Sequence, residues 1–378
     1  MKFDILRDRL LDGLNDVMKA VSSKTTIPIL TGIKIDVTNE GVSLTGSDAD
    51  ITIQTFIPVE ENGQQIINIT KTGSIVLQAR MFNEIIRKLP TNEVEIEITK
   101  NFATTIRSGK SEFNLIGLDS TEYPQLPEVA ADKQFSIPAD LLKSIIRETG
   151  FAVATSESRP VLTGVNWKVE ANELICVATD SHRLARRKVN LENLPTDVTS
   201  VVIPGKSLSE LSKILDDTNN PVQIVLTNQQ VLFKTDDVLF FSRLLEGNYP
   251  DTSRLIPDDF KTSITINGKS LLQAIDRASL LAREDRNNVV RFETLENQTI
   301  EVSSNSPEIG KVEEQIQVEN LEGETLKISF SAKYMMEALK AIDSQDVVIE
   351  FTGAMRPFIL RSALDDAILQ LILPVRTY

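Results

Sequence analysis

The sequence predicts an α+β protein: three tandem copies of one domain, each with two helices packed on antiparallel sheet. Three observations predict it. A phrase recurs, a switch of hydrophobic period recurs in the same place, and a Tyr-Pro exit recurs after it.

The phrase Pro28-Ile29-Leu30-Thr31-Gly32-Ile33 returns 132 residues later as Pro160-Val161-Leu162-Thr163-Gly164-Val165. Thr45-Gly46-Ser47-Asp48 returns at the same offset as Val177-Ala178-Thr179-Asp180, and a weaker third copy runs from Ile264. Repeats of about 125–130 residues are whole domains, not the short units of a solenoid. The expected domains are 1–128, 129–259 and 260–378.

Each copy opens with a short strand and an amphipathic helix. The apolar stripes are Leu10, Leu14, Val17 and Val21, then Leu141, Leu142, Ile145 and Ile146, then Leu271, Leu272, Ile275 and Ala278. Text rich in Val, Ile and Thr follows and reads as strands at 33–37, 42–45, 51–59, 165–169 and 174–178. A second helix comes midway, at 79–89, 207–215 and 332–342, and each time gives way at a turn to alternation. Val94, Ile96 and Ile98 alternate in the first copy, Val222, Ile224 and Leu226 in the second, Val347, Ile349 and Phe351 in the third. Tyr123-Pro124, with Pro127 beyond, and Tyr249-Pro250 mark the linkers.

Length and an apolar content of 41% fit a globular protein whose domains each bury a core. No apolar run approaches a membrane span, and Asp4 interrupts the start where a signal peptide would continue apolar. The single cysteine, Cys176, reads as a buried strand thiol, so a cytoplasmic location is expected. The net charge of −14 argues against nucleic acid only as a sum. Counted by element (7–24, 79–89, 139–149, 205–215, 268–284 and 332–342), the six helices carry +6 and everything else −20.

Bond chemistry finds little support. Gly-Lys-Ser occurs at 109–111, 205–207 and 268–270, but Thr104, Ser200 and Ser263 stand where a phosphate loop needs its first glycine. These triplets read as turns or helix starts. Asp180, Ser181 and the sole histidine, His182, are neighbours in what reads as an extended stretch, so they point to alternate faces and cannot form a triad. Asp48 and Asp50 share a strand face and could ligate a hard cation, although the second copy keeps only Asp180 there and a solvated turn is the simpler reading. No catalytic site, cofactor or metal is expected.

The chain resembles the bacterial DNA polymerase III beta subunit family, the sliding clamps, over its whole length. The residues that carry this are Met1-Lys2-Phe3, Pro28-Ile29-Leu30, the stretch 178–185, Asn248-Tyr249-Pro250-Asp251 with Arg254, and Leu373-Pro374-Val375-Arg376. The resemblance implies a head-to-tail dimeric ring of six clamp domains, helices lining the hole and sheets outside. It implies sequence-independent encirclement of double-stranded DNA, and as partners the replicative polymerase, the clamp loader and other clamp-binding-motif proteins of repair and replication.

Carried over residue by residue, Lys24, Arg80, Arg159 and Lys206 face DNA. A partner-peptide groove is lined by Leu162, Thr179, Ser181, His182, Arg183, Leu184, Pro250, Arg254, Leu255, Leu371, Leu373, Pro374, Val375 and Arg376, with Met355 and Pro357 flanking it. The dimer seam places Phe113, Leu280 and Leu281 at its centre, with Arg107 and Lys110 opposite Glu313 and Glu314. Here the chain departs from the family pattern, with Glu112 at a basic position and Gly310 and Lys311 at acidic ones. A metal-dependent enzyme using Asp48 and Asp50, or a modular scaffold of tripled domains, are the other readings.

Overall fold

The structure, a computed structural model, describes residues 1–22, 25–126, 133–192, 194–195, 200–282 and 288–376. The first copy runs β1 (Lys2–Leu6), α1 (Arg7–Val17), β2 (Gly32–Val37), β3 (Gly41–Ser47) and β4 (Ile51–Pro58). It continues through β5 (Glu60–Glu61), β6 (Gln64–Gln65), β7 (Ile67–Lys71), β8 (Gly73–Gln78), α2 (Ala79–Lys88), β9 (Glu93–Ile98), β10 (Ala103–Ser108) and β11 (Ser111–Ile116). The second has β12 (Gln134–Pro138), α3 (Ala139–Thr149), β13 (Gly164–Glu170), β14 (Glu173–Thr179) and β15 (Arg183–Asn190). After these come β16 (Ser200–Pro204), α4 (Gly205–Ser212), β17 (Pro221–Leu226), β18 (Gln230–Lys234) and β19 (Val238–Arg243). The third has β20 (Thr262–Asn267), α5 (Gly268–Ala282), β21 (Val289–Leu295), β22 (Thr299–Ser306) and β23 (Gly310–Gln317). It ends with β24 (Asn320–Gly323), β25 (Lys327–Ser331), α6 (Ala332–Ile342), β26 (Asp346–Phe351), β27 (Phe358–Ser362) and β28 (Ile368–Ile372).

The helices form where the stripes predict, with shifted ends. Leu10, Leu14 and Val17 are buried along α1, but the helix stops at Val17 and tightens into a 3-10 turn, Met18–Ala20, short of Val21. Gly46 on β3 explains how closely sheet and helix end approach: a Cβ there would lie 2.4 Å from the Val17 carbonyl oxygen. The Gln78 side chain accepts from the Met81 amide at 2.7 Å and caps α2; Ser331 caps α6, and Asp343 in the left-handed region ends it. The helix expected at 207–215 is α4, shifted to 205–212, and α5 is described to Ala282, so Arg283 and Glu284 lie outside the described residues. Both Pro-led phrases fold alike, as 3-10 turns Pro28–Thr31 and Pro160–Thr163, with the threonine hydroxyl donating to the proline carbonyl at 2.8 and 2.7 Å.

The chain divides into two compact units, one of residues 1–140 and 210–244, the other of residues 141–209 and 245–378. In the first, a five-stranded sheet runs β11-β10-β9-β1-β7 and an eight-stranded sheet runs β12-β17-β18-β19-β4-β3-β2-β8. In the second, a nine-stranded sheet runs β16-β13-β14-β15-β28-β27-β26-β20-β24 and a four-stranded sheet runs β23-β22-β21-β25. Successive copies are therefore joined by antiparallel ladders: β4 with β19 from Thr55↔Val238 to Ile51↔Ser242, and β15 with β28 from Arg183↔Ile372 to Arg187↔Ile368. The third copy's core holds four phenylalanines in mutual contact, Phe292, Phe330, Phe351 and Phe358, with Phe351 stacked on Phe358 at 5.0 Å. Cys176 is fully buried on β14. No helix among the described residues is long and apolar enough to cross a membrane.

Candidate functional site

The stretch read as extended around Asp180 is a tight turn between β14 and β15. Ser181 takes φ of 77°, and Asp180 Oδ1 accepts from the amides of His182 at 2.9 Å and Arg183 at 3.1 Å. Thr179 Oγ1 accepts the Ser181 amide and donates to the Arg183 carbonyl, closing the loop from the other side. The local conformation differs from the one expected: Asp180 is engaged by the backbone amides of the turn and by Arg183. The first copy builds the same turn. Ala49 has φ of 79°, and Asp48 Oδ1 accepts from Asp50 and Ile51 at 3.1 and 2.8 Å. Asp48 and Asp50 sit in this turn, not on a strand face, and no cluster of three or more metal-ligating side chains occurs among the described residues.

Beside the Asp180 turn, Leu184 faces Leu371 across the β15–β28 ladder. Val177, Leu184, Ile359, Leu369 and Leu371 form a buried apolar floor, against which Tyr249, Ile256, Phe260 and Leu373 pack, half-buried. Ser181, His182, Pro250, Arg254 and Arg376 are exposed, and Pro357, Pro374 and Val375 are half-buried. Leu255 and Met355 are large apolar side chains left 52% and 55% exposed. The chain end is fixed by its backbone: the Leu373 amide donates to the His182 carbonyl at 3.0 Å and the Val375 amide to the Ser329 carbonyl at 2.7 Å. Thr179 is buried by its turn, and Leu162 is buried in the 160–163 turn, outside the apolar floor.

Arg183 departs from the expected lining role. It is 7% exposed, and its guanidinium turns inward. Nε donates to Asp180 Oδ2 at 3.0 Å, Nη2 to the Phe151 carbonyl at 2.6 Å, and Nη1 to Glu337 on α6. The Phe151 and Tyr334 rings lie 5.1 and 4.5 Å from its centre. Sequence reasoning missed Glu337 and Tyr334, which are more than 150 residues away in the chain and carry no local signal.

Of the residues expected to face DNA, Lys24 lies outside the described residues; Arg80 on α2, Arg159 and Lys206 on α4 are exposed. Several cations on or beside the helices are engaged: Arg87 and Lys88 with Glu84, Lys213 just past α4 with Glu210, and Arg277 with Glu314 on β23.

Of the residues expected at the seam, Phe113 is on β11, Glu313 and Glu314 are on β23, Arg107 is on β10, and Leu280 and Leu281 are on α5. β11 is the outermost strand of the five-stranded sheet and β23 of the four-stranded one. Phe113 on β11 is 38% exposed and Leu280 on α5 is 59% exposed, with Leu281 half-buried beside it. The charges expected to meet across the seam are largely engaged within the chain. Arg107 donates to Glu112 at 2.8 Å and also pairs with Glu95 and Glu97; the Arg107 hydrogen bond holds the Glu112 carboxyl below its usual range. Arg277 does the same for Glu314, and Lys311 pairs with Glu313 at 3.1 Å. Lys110 is exposed.

Three tandem copies joined by continuous antiparallel sheets define the class: a clamp-type fold. Family models for the DNA polymerase III beta subunit match in order, N-terminal domain at 1–127, central domain at 136–251 and C-terminal domain at 253–376. The beta sliding clamp of Bacillus subtilis (strain 168) is 62% identical over 100% of both chains. The crystal structure of the Bacillus subtilis DNA polymerase sliding clamp superposes over all of both chains with a TM-score of 0.97. The DNA polymerase III beta chain of Streptococcus pneumoniae gives 0.95 at 43% identity, again over 100% of each. The chain belongs to the DNA polymerase III beta subunit family, the beta sliding clamps, and is a non-catalytic processivity factor.

Proposed function

We propose that two copies of this chain close head to tail around duplex DNA and tether the replicative polymerase through the groove beside the Asp180 turn. The observation that carries this is an unfinished pattern in the sheets. By position in their copies, β4, β15 and β23 correspond, as do β19, β28 and β11. β4 pairs with β19 and β15 with β28, while β23 and β11 have no partner on their outer edges among the described residues. An open edge is a template for another strand. The missing ladder is supplied when β11 of one protomer meets β23 of its partner, with Phe113 and Leu280 covering it. Two such seams close a ring of six domains, at 1–128, 129–259 and 260–378 in each chain.

Inside it, Lys24, Arg80, Arg159 and Lys206 meet phosphates without reading bases, which lets the ring slide. Detachment of the tethered polymerase is then followed by rebinding at high effective concentration. The clamp loader and other clamp-binding-motif proteins share the groove, where each buried apolar anchor contributes roughly 1.5–3 kcal/mol. Primer extension under single-encounter conditions tests this: product length increases only with loaded protein, and unchanged length contradicts it. Cytoplasmic action follows from this role.

A further inference from the structure

Resting on that groove reading, we propose that Glu337 is a positioning residue for partner docking, acting through Arg183 and Asp180 on the groove rim. The chain contains its own comparison. Both copies of the turn hold the aspartate against two amides and a positive-φ residue. Both are tied to the adjoining strand by the same bond, Arg243 amide to Asp50 carbonyl and Leu373 amide to His182 carbonyl, each at 3.0 Å. The turn and its tie therefore form without an arginine, because the first copy has Ile51, 1% exposed, where the second has Arg183.

What the second copy adds is a buried cation bridging the turn to helix α6. Such a charge is costly unless its donors are matched. Here Asp180, Glu337 and the Phe151 carbonyl match them, and two rings cover the faces. Glu337 holds one end of the guanidinium and Arg183 Nε holds the second oxygen of Asp180. The Asp180 carboxyl sets the pose of His182, and the His182 carbonyl holds Leu373. One carboxylate on α6 thereby fixes two facing parts of the rim.

The test uses the full-length dimer, a fluorescent peptide carrying a clamp-binding motif, and Glu337→Gln with Glu337→Asp as the conservative variant. Removing one charge-assisted bond should weaken peptide binding about tenfold in Glu337→Gln, with recovery in Glu337→Asp, an unchanged dimer and a thermal midpoint that falls only modestly, because Arg183 keeps Asp180 and the Phe151 carbonyl. His182 is the only histidine, so its imidazole proton resonance is a unique reporter; it should move in free Glu337→Gln. Unchanged affinity with an unmoved His182 signal overturns the proposal. So does weakened binding accompanied by loss of the dimer or of a cooperative unfolding transition. Deleting residues 373–378 separates the two claims. Peptide binding retained there overturns the groove reading, whereas binding lost there but intact in Glu337→Gln overturns the role of Glu337 alone.

Discussion

The Leu373 amide donates to the His182 carbonyl at 3.0 Å, so the end of the chain is stitched to a turn made almost two hundred residues earlier. That bond extends the β15–β28 ladder by one step and brings residues from two copies onto one apolar floor.

The rim should bind through its exposed apolar side chains, which the fold itself does not need. Leu255→Ala and Met355→Ala each remove a side chain already more than half exposed, so thermal stability should stay within about 0.5 kcal/mol. Peptide affinity, measured by fluorescence anisotropy, should fall by roughly 1–2 kcal/mol, about five- to thirtyfold. Unchanged affinity in both variants would place the partner elsewhere.

The seam should depend on apolar contact and backbone pairing more than on ion pairs, because Arg107 and Glu314 are engaged within the chain. Phe113→Asp or Leu280→Asp should weaken dimerisation by roughly 2 kcal/mol or more, read by sedimentation velocity across concentration. Glu313→Gln should leave the dimer within a factor of about two at moderate salt. The reverse order of effects would show an electrostatic seam.

Contacts to phosphate make binding salt-dependent. Arg80→Ala and Lys206→Ala should each reduce the slope of log affinity for linear duplex against log salt by about 1, uniformly across sequences. Unaltered slopes would remove these side chains from the DNA path.

Burial on α3 pushes the Glu148 carboxyl above its usual range, against the opposing pull of Ser144, Arg187 and Arg147. The folded state then holds a proton that the unfolded state releases at lower pH. The stability of the wild type relative to Glu148→Gln should accordingly fall as pH rises from the ordinary glutamate value, 4.5, through the raised folded value, and the deficit should persist above it. Thermal midpoints of the two proteins across pH 4 to 8 check this; a wild type that gains on Glu148→Gln as pH rises would mean that Arg187 and Arg147 outweigh desolvation.

Much of the fold was legible because it is written in periodicity. The stripe Leu10, Leu14, Val17 and the alternation Val94, Ile96, Ile98 each state a buried face locally. Helix ends are less legible: α1 gives way at Val17 to a 3-10 turn, beside the close approach of β3 at Gly46, a tertiary fact. Around Asp180, polar residues in a row resemble an extended segment, and the turn shows in the positive φ of Ser181 and the amides held by Asp180. Resemblance puts Arg183 in the groove, yet its guanidinium is committed to Glu337, a partner that no sequence spacing indicates. The open edges at β11 and β23 are hidden for the same reason, since strand order is set by pairing between distant segments.

Encirclement is tested most directly by topology. Loaded on a nicked circular duplex and washed at high salt, the dimer should remain bound to the circle and be lost when the same circle is cut to a linear form. Equal loss from circular and linear DNA would contradict a closed ring.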